Sequence, residues 1–219
     1  MIAHALIFAA GRGERMRPLS DTNAKPLLRI GGKMLIEYHL ENLAAAGVRN
    51  IVINTSHLAG QFSTALGNGS RWGMRIAYSY EGPEPLETGG GMLRALPLLG
   101  DAAFIAVNGD IFTNFDFSTL PQNPPLLAHL VMVANPPQHA LGDFVLRDGL
   151  VHDEPEPRVT FAGIGVYRPE LLAGHAPGKF STIPILRAAM HNGQVSGEYY
   201  AGSWNDIGTP QRLAELGRR

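Results

Sequence analysis

The sequence predicts an α/β fold: a Rossmann-like, mostly parallel central sheet flanked by helices, with a smaller β-rich portion attached. Three features carry that expectation. Apolar runs such as "ALIFAA" (5–10) and "AAFIAVNGD" (102–110) are nearly unbroken, as in strands buried on both faces. In the first half these runs alternate with stretches of helical spacing, the pattern of βαβ units. Beyond residue 110 strand-like segments follow one another with only turns between them. A chain of 219 residues suits a single domain, read here as one unit over 1–219 with parts of about 1–110 and 111–219.

Each element has its own local reason. Behind the first strand, Met34 to Gly47 reads as a helix. Leu35, Tyr38 or His39, Leu40 and Leu43 keep helical spacing, and Gly47 stands where a C-terminal cap belongs. "VRNIVIN" (48–54) is the second apolar strand, and a shorter helix follows around 58–66. "MRIAYSY" (74–80) alternates as a strand, Gly90 to Leu96 is helical, and "AAFIAVNGD" closes the first half on polar residues. Then come "PLLAHLVMVA", "GDFVLRDGLVHD" and "RVTFAGIGVYRP", with Gly149 marking a hairpin turn. Thr182 to His191 is the last long helix and "GQVSGEYYAGSWNDIG" a strand and loop. Pro210 opens a terminal helix at a position that tolerates proline.

Composition narrows the function. A formal net charge of −1 offers no basic surplus for nucleic acid. The absence of cysteine excludes disulfides, thiolate zinc sites and thiol nucleophiles together, and it fits a reducing cytoplasm. The apolar run Ile2 to Ala10 lacks a basic flank and is too short for a signal peptide core or a membrane span. The expectation is a cytoplasmic protein with small-molecule partners and no nucleic-acid or membrane partner. Quaternary state leaves no mark in the sequence.

The string "FAAGRGERMRP" (8–18) places two glycines and three arginines directly behind a buried strand. In parallel sheets ligands sit beyond the carboxyl ends of strands. Glycines there let backbone N–H groups approach a phosphate, and Arg12, Arg15 and Arg17 can neutralise it. The same residues would also make a tight turn with solvated arginines. A Walker A string is absent. A dinucleotide fingerprint fails because Met16 replaces the third small residue, and Pro18 opposes an immediate helix.

A different pattern fits. "AAGRGERMRPLS" followed by "AKPLLRIGGKMLIEYHL" resembles the signature of the sugar-1-phosphate nucleotidyltransferases. "PLETGGG", "VNGD", "FAGIGVY" and "WNDIGT" follow in that family's order, so the resemblance covers nearly the whole chain. It implies attack of a sugar-1-phosphate oxygen on the α-phosphorus of a nucleoside triphosphate, with UTP as donor in the branch that these strings match best. It also implies Mg²⁺.

The family's roles carry over position by position. Arg15 and Lys25 are the catalytic cations, Lys25 on the α-phosphate and Arg15 on the departing phosphates. Pro26 is expected to hold Lys25 extended. Ala10, Gly11, Arg12 and Gly13 would cradle the triphosphate. Glu81 would accept from the base, or be a solvated loop carboxylate. Gly89, in the run Gly89 to Gly91, would leave space for base or ribose, with Glu87 and Thr88 as helix caps. Asn108, Gly142 and Asp143 would bind the sugar, although Asp143 could simply end a hairpin. Asp110 and Asp206 would hold the metal, or else cap a turn and a helix. Trp204 reads as core or pocket wall, and no histidine is given a catalytic role, the eight being read as mostly satisfied or exposed.

One departure stands out. Many relatives carry E-K-P, whose lysine holds the sugar phosphate, whereas this chain has "DEPEPR", leaving Arg158 as the nearby cation. Many relatives also continue into a β-helix, and the chain's end soon after "WNDIGT" predicts no second activity. Two rival functions remain: transfer to another hexose phosphate such as mannose or glucose, and a silent nucleotide-sugar-binding regulator.

Overall fold

The computed structural model describes residues 2–155 and 157–217. β1 (His4–Phe8) runs into the glycine–arginine loop, which contains a 3₁₀ turn at Glu14–Met16 and the short α1 (Leu19–Thr22). A small hairpin, β2 (Arg29–Ile30) and β3 (Lys33–Met34), delivers the chain to α2 (Leu35–Ala45). β4 (Asn50–Thr55), α3 (Gly60–Leu66), β5 (Arg75–Tyr80), α4 (Glu87–Leu99) and β6 (Phe104–Asn108) complete the alternating half. There follow β7 (Ile111–Thr113), β8 (Ala128–Val133), the hairpin β9 (Val145–Arg147) and β10 (Leu150–His152), and β11 (Thr160–Tyr167). α5 (Ile183–His191), β12 (Val195–Tyr199), β13 (Trp204–Asp206) and α6 (Pro210–Leu216) close the chain. Among the described residues no helix is long and apolar enough to cross a membrane.

The β-rich second half continues the same sheet. All but four of the strands form one nine-stranded sheet, ordered β5-β4-β1-β6-β11-β8-β12-β10-β9. β5, β4, β1 and β6 are parallel, and β11 then joins β6 antiparallel with Ile164 opposite Val107. The physical reason is the free edge of β6. A buried strand needs a partner for its outward N–H and C=O groups, and "TFAGIGVY" is apolar enough to lie there with both faces covered. Strand alternation then divides the core. Ile7, Ile53 and Val107 face α2, which contributes Ile36 and Leu40. Leu6, Val52 and Ala106 face the other way, onto Met92 and Ala95 of α4 and Leu186 of α5.

The helical spacing of α2 left Tyr38 and His39 as alternatives for the inner face. His39 takes it, 1% exposed, while the Tyr38 hydroxyl donates to the Ile30 carbonyl at 2.8 Å. Neither ring nitrogen of His39 has a hydrogen-bond partner among the described residues, so it is an exception to the expectation that the histidines are mostly satisfied or exposed. Burial disfavours the imidazolium and pushes its pKa down to about 4.

A histidine titrating near ~6.5 when unfolded then binds its proton in the unfolded chain first, so stability rises with pH across that window. The contribution is complete above about pH 6.5 and is lost on acidification towards pH 4, amounting to about 3 kcal/mol. Replacing His39→Leu should therefore flatten the pH dependence of urea-unfolding free energy between these limits. An unchanged slope would assign the acid lability to other groups.

Candidate active site

From β1 the chain winds outward through β4 to β5, then returns to place β6 on the other side of β1. The crevice beyond the carboxyl ends of β1 and β6 is thus a topological switch point, where sheets of this kind bind ligands. A cavity of about 940 Å³ opens there, lined by the loop from Phe8 to Met16 and by Lys25, Glu81 and Asp110. A smaller one of about 270 Å³ adjoins it, lined by Pro136, His139, Phe161, Trp204 and Asp206. Arg15, Asn108 and Asp110 line both.

The loop is held from beneath. Gly13 adopts φ +62°, and a Cβ there would lie 3.2 Å from Lys25 Cβ and 3.3 Å from Ser20 Cβ. Both features favour a residue without a side chain. The Gly13 carbonyl accepts from Met16 N–H at 2.8 Å and from the Ser20 hydroxyl at 2.7 Å. Met16 is fully buried with Leu28, Leu35 and Ile207, so one small apolar cluster pins the loop to the segment after β13. Ala10, Gly11, Arg12 and Gly13 all line the large cavity. Arg12 reaches across it to the Pro83 carbonyl at 3.4 Å, whereas the exposed Arg17 pairs with Asp21 and lines neither cavity.

Lys25 corrects one expectation. It opens a 3₁₀ turn, Lys25–Leu27, and the extended residue is Ala24 before it. Hydrogen bonds from Leu27 N–H to the Ala24 carbonyl and from Leu28 N–H to the Lys25 carbonyl override the pre-proline preference. The turn buries the Lys25 side chain to 10% exposure and sets Nζ 2.7 Å from Asp110 Oδ2. Asp110 is itself anchored: Gly109 N–H donates to the Phe8 carbonyl, and Ile207 N–H to the Asp110 carbonyl, both at 2.9 Å.

Asp206 arrives through the two-stranded pairing of β13 with β7, where it lies opposite Ile111. Both aspartates therefore reach the smaller cavity from adjacent chain segments. Asp206 Oδ2 lies 3.0 Å from an Arg212 guanidinium nitrogen. Gly208 leaves room for this convergence, since a Cβ there would lie 3.2 Å from Asp206 Oδ2 and 3.4 Å from Arg15 Nη1. No cluster of three or more metal-ligating side chains occurs among the described residues. Two hard carboxylates suit a divalent cation that completes its shell with phosphate oxygens and water.

The remaining candidates fare differently. Glu81 is 6% exposed rather than solvated. It faces the cavity, but Oε1 accepts from Asn54 Nδ2 at 2.6 Å and Oε2 from Leu86 N–H at 2.7 Å. Burial pushes its pKa up, and those two donors oppose the rise. Gly89 leaves no room for a base: the Phe180 ring fills the space a Cβ would take, and the Phe180 carbonyl accepts from Gly89 N–H at 2.9 Å. Neither Glu87 nor Thr88 caps α4, and Thr88 Oγ1 instead accepts from Thr182 N–H at 3.0 Å.

Asn108 lines both cavities, with Gly163 (φ +73°) bare beside its amide. Gly142 and Asp143 line neither cavity. The Asp143 carboxylate accepts from Phe161 N–H at 2.8 Å, at the irregularity in β11, and holds His139 Nε2 at 3.0 Å. Arg158 also stands outside both cavities, its guanidinium donating to the Glu154 carbonyl at 2.6 Å. Sequence reasoning missed Asn54, Lys179 and His139 as wall residues; none belongs to a string with its own chemical signature.

The crevice thus brings the loop's cations and the Asp110 and Asp206 carboxylates to the carboxyl end of the sheet. Residues 4–137 match the family described as nucleotidyl transferase, and the chain belongs to that family. It is 48% identical over 222 residues to the N-acetylmuramate alpha-1-phosphate uridylyltransferase of Neisseria meningitidis serogroup B, covering 96% of this chain and 95% of that protein. The protein of the same name from Caulobacter vibrioides is 32% identical over 96% of this chain and 97% of its own. Among solved structures, a Bacillus anthracis protein in complex with a sucrose superposes with a TM-score of 0.84 at 19% identity, covering 98% of this chain and 95% of that one.

Gly13→Ala should destabilise the protein by about 1–2 kcal/mol for the left-handed backbone alone. It should also raise the nucleotide KM by displacing Lys25. Thermal melts and steady-state kinetics on the same preparation check both; a variant with native KM would show that the loop tolerates the added methyl.

Proposed function

We propose that the protein transfers a uridylyl group from UTP to N-acetylmuramate α-1-phosphate, giving UDP-N-acetylmuramate and pyrophosphate in cytoplasmic peptidoglycan recycling. The observation that carries this reading is a pair of cavities, one large and one small, meeting at Arg15, Asn108 and Asp110. The names of the two uridylyltransferase relatives, matched over almost their whole length, support the choice of base and sugar.

The chemistry follows from charge. The sugar phosphate is already an anion, so the reaction needs relief of repulsion and in-line placement more than a base. A sugar-phosphate oxygen forms a bond to the α-phosphorus while the bond to the bridging oxygen breaks, and pyrophosphate leaves with the electron pair. The bare loop backbone at Gly11 and Gly13 lets the triphosphate approach closely. Arg15, lying on both cavities, supplies positive charge where nucleotide and sugar phosphate meet. Its guanidinium can hold two phosphate oxygens at once. Lys25, released from Asp110 by an incoming phosphate, neutralises charge on the α-phosphoryl group. Asp110 and Asp206 would hold Mg²⁺, which supplies Lewis-acid screening of the reacting oxygens. Arg158 is turned away from both cavities, its guanidinium held by the Glu154 carbonyl, so it is not placed to hold the sugar phosphate.

Pyrophosphate release across nucleoside triphosphates and sugar 1-phosphates tests the assignment. UTP with N-acetylmuramate α-1-phosphate should give the highest kcat/KM. A tenfold preference for GTP with mannose 1-phosphate would overturn the base and sugar while leaving the reaction class. No turnover with any pair would favour a silent nucleotide-sugar-binding regulator.

The two charged pairs should also fail differently. Asp110→Asn or Asp206→Asn should lower kcat by roughly two orders of magnitude or more, and excess Mg²⁺ should recover part of the loss. Lys25→Ala should lose rate that no metal concentration restores. Near-normal metal dependence in both aspartate variants would make those residues structural.

A further inference from the structure

On the functional reading above, the smaller cavity receives the acceptor sugar, and this inference rests on that reading. N-acetylmuramate is an N-acetylglucosamine that carries a lactyl ether, so it brings a carboxylate besides its phosphate. An ionised carboxylate that leaves water needs a cation or charge-assisted donors in exchange. Most of the cavity wall offers neither. Asp110 and Asp206 carry the same sign of charge as the ligand, and Trp204 Nε1 already donates to the Ala162 carbonyl at 2.9 Å. Among the described residues of this wall, Arg15 and His139 are the two that can be cations. Arg15 also lines the large cavity, so it stands at the boundary where nucleotide and sugar phosphate meet. His139 lines the smaller cavity alone, on the turn that also brings Pro136 and Gln138 to it. We propose that His139 determines acceptor specificity by binding the carboxylate of the sugar substrate.

The backbone that carries the ring is held from several sides. His139 ends a 3₁₀ turn, Pro137–His139, in which its N–H donates to the Pro136 carbonyl at 2.9 Å. Its own carbonyl accepts from Gly142 N–H at 3.2 Å. Asn135 ties the same turn to the chain entering β11: Nδ2 donates to the Ala140 and Arg158 carbonyls at 3.1 and 3.0 Å, and Oδ1 accepts from the Thr160 hydroxyl at 2.9 Å. The ring itself is fixed by Asp143. Its Oδ1 lies 3.0 Å from His139 Nε2, while Oδ2 accepts from Phe161 N–H at 2.8 Å. An ionised carboxylate only accepts, so this contact places a hydrogen on Nε2. Nδ1 has no hydrogen-bond partner among the described residues. In the imidazolium, Nδ1–H is a second donor, and the sugar's carboxylate is the acceptor it lacks. The ring then lies between two carboxylates, the protein's and the ligand's, which favours its charged form. A neutral sugar offers a hydroxyl instead and gains less from the same ring.

Two acceptors isolate the contact, because N-acetylglucosamine α-1-phosphate lacks the lactyl carboxylate and is otherwise the same sugar. His139→Gln should lower kcat/KM for N-acetylmuramate α-1-phosphate by roughly tenfold, mainly through the KM for the sugar. It should lower kcat/KM for N-acetylglucosamine α-1-phosphate much less, so the preference for the carboxylate sugar narrows. His139→Lys keeps a positive charge and should retain more of that preference than His139→Gln. An equal loss with both acceptors, or a preference that His139→Gln does not narrow, would overturn the proposal. His139 is exposed on its turn, so both variants should melt with the wild-type protein. If His139→Gln melts lower, His139→Lys decides: a retained preference supports the contact, and a lost one overturns it. Should the wild-type protein transfer uridylyl to neither acceptor, the functional reading fails, and calorimetric titration with N-acetylmuramate and N-acetylglucosamine tests the contact by itself. Tighter binding of the carboxylate sugar that His139→Gln abolishes supports it, and equal binding overturns it.

Discussion

The ion pair between Lys25 and Asp110 organises this molecule. A lysine side chain left 10% exposed would be strongly destabilising without a counter-charge, and Asp110 Oδ2 supplies one at 2.7 Å. Meeting that requirement brings three stretches of chain together. Lys25 comes from the turn before the β2–β3 hairpin, Asp110 from just beyond β6, and Gly13 lies close against the lysine stem, where a Cβ would stand 3.2 Å from Lys25 Cβ. In the proposed reaction an incoming phosphate would replace the carboxylate as the lysine's partner, and the freed carboxylate would become available to a cation.

The second organising contact is apolar. Met16 inside the loop and Ile207 beside Asp206 are both fully buried in one small cluster. Packing therefore couples the start of the chain to a segment nearly two hundred residues later. Through it the Arg15 guanidinium and the Asp206 carboxylate converge over Gly208. The two cavities share Arg15, Asn108 and Asp110 because these contacts draw both halves of the chain onto the carboxyl end of one sheet.

Several glycines serve packing between segments of the chain itself. Gly89 and Gly90 receive the loop around Gly178 and Phe180, and Gly91 receives the Asn54–Glu81 pair. Gly163 makes way for Asn108 and Gly109 for the Phe8 carbonyl. A glycine string beside a binding site therefore reports close approach without saying whether ligand or protein approaches.

The sequence by itself determined the order and kind of nearly every long element, because burial on both faces of a strand and helical spacing are local properties of the chain. It also carried the family resemblance, because the loop Ala10 to Arg15, Lys25, Asp110 and Asp206 sit in strings that follow the family's order and spacing. Tertiary structure decided the rest. That β11 adds to the edge of β6, making one sheet of two expected parts, depends on which edge is free, and no window of sequence reports it. The turn at Lys25 depends on a distant carboxylate, so the local preference before Pro26 pointed to the wrong backbone. Glu81, Gly89 and Asp143 have side chains or spaces that other segments occupy, through Asn54, Phe180 and Phe161. A residue type announces what a group can donate or accept; which partner takes it is settled only when strands remote in sequence are laid side by side.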